Sequence, residues 1–184
     1  MRHLTIEELE AGLDGIRLAP SDNGVLHLIV RRPDTGVREV IAEGQLDCIE
    51  GLVGDSWIAR ERSRTPDGTR SREAQLTVMN SRLIALVAQD RNRWQLAGDQ
   101  LFIDLDLSTG NVPPGTQLAL GSAVIEVTAQ PHANCQKFAA CFGLDAMKWV
   151  DSAPGRRLQL RGINAKVVRP GVIRVGDAVR KAPG

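Results

Sequence analysis

Aromatic side chains are scarce in this 184-residue sequence: three Phe, three Trp and no Tyr, 3% of the chain. Binders of single-stranded nucleic acid stack bases on exposed aromatics, so that class is disfavoured. Neither sign of charge is in excess. There are 23 Lys and Arg against 22 acidic residues, a formal net charge of +1. That argues against a general DNA-coating role, which needs a basic surplus to release counterions. Within the basic set lysine is rare, 4 Lys to 19 Arg. Arg is the better bidentate phosphate ligand, although a GC-rich genome produces the same bias. Cysteine is down to three, Cys48, Cys135 and Cys141. An odd number with no signal peptide in front predicts free thiols and a reducing cytoplasm. No apolar run approaches the ~20 residues of a membrane helix, so the expectation is a soluble chain with no membrane partner.

What is present has a globular balance, 42% hydrophobic and 24% charged, at a length that suits one domain, residues 1–184. Thr5-Ile-Glu-Glu8 is a capping box, and Ile6, Leu9 and Leu13 follow near helical spacing. β-rich runs at 25–32 and 37–43 flank the turn sequence Pro33-Asp34-Thr35-Gly36, which predicts a hairpin. Residues 48–55 are punctuated by glycine and read as irregular. A short buried strand is expected at 75–79, then a helix over 81–88 capped by Asn80 with Leu83, Ile84 and Val87 facing inward. The alternating run 101–107 predicts a half-buried strand. A second hairpin is expected at 117–120 and 123–129, helices at 135–142 and 144–150 split by Gly143, and strands at 158–161, 164–168 and 172–179. The stretch 114–124 echoes 170–179, which reads as reused hairpin chemistry. Many short strands with Gly and Pro turns point to a mainly β protein, a closed β-barrel with a few helical insertions.

Pro131-His132-Ala133-Asn134-Cys135-Gln136-Lys137-Phe138 is the most informative segment. Pro131 ends a strand and Asn134 can cap, which would put Cys135 at the first position of a helix. Free N–H groups and the macrodipole stabilise a thiolate there, and His132 and Lys137 add positive charge nearby. Such a thiolate can serve as a nucleophile, a sulfur carrier or a ligand for a soft metal; a cysteine can also be simply a small buried hydrophobe. Cys48 and Cys141 have no partner at ligand spacing and read as structural. Residues 60–72 read as a long exposed loop. Arg60, Arg62 and Arg64 alternate within it, so an extended segment would turn all three to one side as a phosphate clamp. The acidic neighbours Glu61, Asp67 and Glu73 equally suit a solvated loop. No P-loop and no GxGxxG is present.

Taken together, Gly54-Asp55, Gln75-Leu-Thr-Val-Met-Asn80, the span 118–127, Cys135, and Gly162-Ile-Asn164 through Gly176-Asp177-Ala-Val179 resemble the MOSC family, named after the C-terminal domain of molybdenum-cofactor sulfurase. The resemblance is strongest over residues 45–181, with 1–44 joining the same domain as a helix plus hairpin. It implies a β-barrel that binds molybdenum cofactor (molybdopterin) in a cleft, with Cys135 matching the cysteine proposed to carry sulfur or coordinate molybdenum. Arg60, Arg62, Arg64 and Arg72 become cofactor-phosphate candidates by charge. Gln75, Asn80 and Asn164 lie in matching segments, and His132 and Lys137 flank the cysteine. Two departures stand out. Many relatives carry a His shortly after the Gly-Asp pair, where Ser56-Trp57 follow here, and some show Gly-Glu-Asn where this chain has Gly98-Asp99-Gln100.

The leading expectation is a small oxidoreductase that reduces N-oxygenated small molecules at a Cys-ligated molybdenum. No flavin, haem or iron–sulfur motif is visible, so electrons would come from donor proteins. The alternatives are a non-catalytic carrier delivering cofactor or sulfur to an apo-molybdoenzyme, and a barrel that binds a phosphorylated ligand or RNA through the arginine loop without metal.

Overall fold

The computed structural model describes residues 2–59, 71–132 and 136–182. Eleven strands run along this part of the chain: β1 (Gly24–Arg31), β2 (Glu39–Ile41), β3 (Glu43–Asp47), β4 (Gly51–Leu52), β5 (Leu76–Asn80), β6 (Leu101–Asp104), β7 (Gln117–Leu120), β8 (Ala123–Val127), β9 (Ile163–Arg169), β10 (Gly171–Arg174) and β11 (Ala178–Lys181). Seven of them close a barrel in the order β11-β7-β8-β9-β5-β6-β1, and β1 returns to β11 through Gly24↔Val179 and Val25↔Ala178. β2 extends the sheet beyond β1, making the expected hairpin with Arg31 opposite Glu39. β10, β3 and β4 form a separate three-stranded sheet.

One pairing in the barrel is parallel, β5 with β6. A parallel pair needs a crossover, supplied by α3 (Ser81–Ala88) and a 3-10 helix at Arg91–Ala97. Asn80 starts α3 as the sequence predicts, its Oδ1 accepting from Arg82 N at 2.8 Å and Leu83 N at 3.1 Å. The Thr5 capping box is also formed, opening α1 (Ile6–Ala11), which α2 (Leu13–Arg17) follows. α4 (Gln136–Phe142) and α5 (Leu144–Val150) flank Gly143 as expected, and α6 (Ala153–Arg157) comes next.

Two strand expectations fail, another is trimmed, and a stretch read as irregular holds a short strand. Residues 158–161 are not a strand. Ser152 caps α6, and the chain then turns, with Leu160 N–H on the Gly155 carbonyl and Gly162 N–H on that of Gln159. Gly162 fixes the geometry: its φ is +102°, and a Cβ there would stand 2.4 Å from the Val78 carbonyl oxygen. Residues 172–179 are not one continuous strand either. The chain leaves the small sheet after β10, turns at Gly176 and enters the barrel as β11. The stretch echoing this one, 114–124, stays within one sheet as the β7–β8 hairpin. The run at 101–107 ends its pairing at Asp104, and 48–55 contains the short β4.

The buried hydrophobic cluster inside the barrel is aliphatic, including Leu26, Ile29, Leu76, Val78, Ile103, Ile125 and Val167, with Cys48 packed against it. Branched aliphatic side chains fill the narrow centre of a small barrel. The aromatics collect outside it, where Trp94, Phe102, Phe138, Phe142 and Trp149 pack the helices against the outer face of β1, β5 and β6. Phe138 and Phe142, one turn apart on α4, meet at a centroid distance of 4.9 Å with their ring planes tilted by 56°, and both are buried in this layer. No helix among the described residues is long and apolar enough to cross a membrane.

Candidate functional site

The polar centre of the molecule is the loop 97–100, where the crossover returns to the barrel. Gly98 ends the 3-10 helix at φ +85°, a conformation that favours glycine. Three side chains from distant elements converge on this loop. Arg32, at the end of β1, donates from Nη1 to the Gly98 carbonyl at 2.7 Å. Arg161, from the turn before β9, donates to the Ala97 carbonyl and places Nη1 2.8 Å from Asp99 Oδ2. His132 places Nε2 2.6 Å from Asp99 Oδ1. Asp99 is fully buried, and the side chains of Arg161 and His132 are 9% and 10% exposed.

Burial alone would raise the Asp99 pKa. The charge of Arg161, then that of His132, and the hydrogen bonds from both outweigh it and hold Asp99 at about 2. Asp99 is therefore a carboxylate at neutral pH, and a carboxylate only accepts hydrogen bonds, so His132 carries a proton on Nε2. Arg161 also lies over the Phe138 ring, 4.9 Å from its centroid.

A second buried ion pair adjoins the first. Asp55 accepts from Arg32 N, Nε and Nη2 at 2.9–3.0 Å and from Trp57 N at 2.9 Å. The Gly-Asp pair of the sequence thus anchors an arginine, and Trp57 completes the set through its backbone. Arg38 lies close by: a Cβ built on Gly98 would be 3.8 Å from its Nη2. Burial, and next the Arg32 charge, lower the Arg38 pKa, with Asp55 and Asp99 among the groups opposing them. Two nitrogens in this cluster, Arg38 Nε and Arg161 Nε, are buried with no hydrogen-bond partner.

The predicted site residues distribute unevenly about this centre. Cys135, Arg60, Arg62 and Arg64 fall outside the described residues. Lys137 is exposed in the first turn of α4. His132 belongs to the cluster. Gln75 is buried beside it, but its amide stitches backbone: Nε2 donates to the Cys48 carbonyl at 3.0 Å and Oε1 accepts from Val167 N at 2.8 Å. Asn164 donates to the Gln130 carbonyl at 3.0 Å, two residues ahead of His132. Asn80 stands at the opposite end of β5, where its Nδ2 holds the Leu105 carbonyl. Arg72 docks on the Val167 carbonyl of β9, and its Nε is buried without a partner. Among the described residues no three His, Cys, Asp or Glu side chains gather as a metal cage. The sequence reading missed Asp99, Arg161, Arg32 and Arg38 as site residues. Asp99 was visible only as a departure from Gly-Glu-Asn, and nothing in local spacing links it to Arg161, 62 positions away.

A family model described as the MOSC domain matches residues 65–180, more than half of the chain. The chain belongs to the MOSC family. Solved structures agree on the fold. The MOSC barrel here is similar to the YuaD protein from Bacillus subtilis, with a TM-score of 0.56 at 15% identity over 85% of this chain and 94% of that one. It is also similar to YiiM from Escherichia coli, with a TM-score of 0.54 at 20% identity over 87% of this chain and 70% of that one. No curated protein matches the sequence.

Proposed function

We propose that this MOSC protein binds molybdenum cofactor against the loop 97–100, with the Cys135 thiolate as a ligand to the metal. The unpartnered guanidinium nitrogens of Arg38 and Arg161 carry the reading. Phosphate oxygens complement such donors, because guanidinium N–H groups bind them in pairs. The residues therefore suit the group, with surplus cationic donors for its phosphate and a thiolate for a soft metal. When bound, the cofactor supplies two-electron redox chemistry at molybdenum, which fits reduction of a small N-oxygenated substrate.

The chain's own part is to bind and orient. Arg38 and Arg161 hold the phosphate, with Arg60, Arg62, Arg64, Arg72 and Lys137 as further cations of the same proposal. Arg32, locked on Asp55 and Gly98, keeps the loop 97–100 in place. His132 keeps its Nε2 proton on Asp99, so from that atom it orients rather than donates to substrate. Electrons arrive from partner proteins.

Protein purified from cells that make the cofactor is expected to contain molybdenum and a pterin, and Cys135→Ala to lose the metal; metal content unchanged in that variant removes the ligand assignment. Turnover of an N-hydroxylated compound with a reductase pair supports the enzyme reading. Transfer of labelled cofactor to an apo-molybdoenzyme without turnover assigns a carrier role instead.

A further inference from the structure

A cleft of about 500 Å³ opens between the N-terminal helices α1 and α2 and the pair α5 and α6. That volume suits a small organic ligand. Trp149 and Leu160 line it as buried residues, and Ile6, Leu13 and Leu158 as half-buried ones. One corner is fixed by Gly155, where a Cβ would stand 2.4 Å from the Trp149 carbonyl oxygen, so glycine is what lets α6 close on the end of α5. Ser152 is committed to the same corner: its hydroxyl donates to the Trp149 carbonyl at 2.7 Å and accepts from Gly155 N at 3.1 Å. None of the lining residues bonds to the loop 97–100 among the described residues, so the cleft stands apart from the ionic cluster.

The polar groups left over in the lining are mostly donors. Trp149 is 5% exposed, and among the described residues its indole N–H has no hydrogen-bond partner, although a buried indole ordinarily finds one. Lys148 forms no ion pair among the described residues. Arg17 meets only Asp14, at 3.3 Å from one nitrogen, and that carboxylate is 89% exposed. Glu10 is the single acidic side chain in the lining, against the two cations. We propose that this cleft binds a medium-chain carboxylate, its alkyl chain against Trp149, Leu158 and Leu160 and its head taken by Lys148, Arg17 and the indole N–H. A carboxylate is an acceptor only and carries the opposite charge to the surplus here. A cationic amphiphile would meet two like charges, and an uncharged one would gain nothing from them. Each methylene buried on the apolar wall strengthens binding by about fourfold.

The test is isothermal titration calorimetry of the full chain with decanoate, octanoate, decan-1-ol and decyltrimethylammonium. Decanoate is expected to bind most tightly, and octanoate, shorter by two methylenes, about fifteenfold more weakly. Trp149→Phe keeps an aromatic ring but removes the N–H, and is expected to weaken decanoate about tenfold, as a lost hydrogen bond to a charged group implies. Reversing both exposed cations, Arg17→Glu with Lys148→Glu, is expected to weaken decanoate by about tenfold or more and to leave decan-1-ol unchanged; this surface pair decides the matter if Trp149→Phe does not fold. No binding of decanoate, equal affinity for the acid, the alcohol and the ammonium, or a decanoate affinity unchanged by the paired charge reversal overturns the proposal. The readout contains no molybdenum step, so either result leaves the cofactor reading where it stands.

Discussion

Two sets of buried polar side chains lie within a few residues of one another and are built on opposite plans. Gln75, Gln100, Asn80 and Asn164 are neutral amides whose polar atoms bind strands together. Gln100, for example, accepts from Thr77 N and Oγ1 and donates to the Gln75 carbonyl. Arg32, Asp55, Asp99 and Arg161 are ionic, with His132 bonded among them, and with Arg38 they leave donors over. A buried donor without a partner carries a desolvation cost of about 1–3 kcal/mol, so a fold that only needed strand stitching would use amides throughout. The surplus is what separates a place for a ligand from a place that is finished.

The largest expected effect falls on the ionic set. Asp55→Ala leaves the Arg32 guanidinium buried and unpaired, which costs about 3–5 kcal/mol, read as a lower urea midpoint. A variant as stable as wild type would show that water reaches this pair and would erase the contrast. Next comes acid. Asp99 has its folded pKa lowered from 3.8 to about 2, so its contribution is complete above pH 4 and is lost as the pH falls through about 2. The shift corresponds to about 2 kcal/mol, and Asp99→Asn is expected to flatten that part of the stability profile between pH 5 and 2. Asn164→Ala, from the amide set, is expected to cost about 1 kcal/mol and to leave molybdenum content unchanged. A fall in molybdenum would move Asn164 into the binding set. Smallest in stability is Arg38→Ala, within about 0.5 kcal/mol of wild type by equilibrium unfolding, because Arg38 is half-buried and its Nε bonds to nothing. Its expected signature is lost molybdenum without lost stability, and a stable variant that retains its metal would cut Arg38 from the site.

Much of the scaffold was legible because it is local. The Thr5 box, the Asn80 cap, the β7–β8 hairpin and the helices around Gly143 each follow from residues three or four positions apart or from a turn between two runs. The barrel followed from the sum of such pieces. Residues 158–161 were misread because an apolar-polar run looks like a strand until Gly162 and the carbonyl of Val78 forbid its continuation. The site was least legible. Asp99 finds Arg161 and His132 through closure of the barrel, 62 and 33 positions along the chain, and no spacing rule reaches that far. Charge drew attention to the arginine loop, whereas burial singles out Arg32, Arg38 and Arg161, and burial cannot be read from composition.

The seam between β1 and β11 has a consequence for biosynthesis. The strand that completes the barrel is made of residues 178–181, while its partner β1 is finished by residue 31. β2 and β6 reach β1 sooner, but at about 5–20 residues per second β1 waits on the order of ten seconds on the ribosome before this last partner exists. During that interval its apolar inner face is a standing target for chaperones, and a stalled or truncated nascent chain would be exposed to degradation as an open sheet.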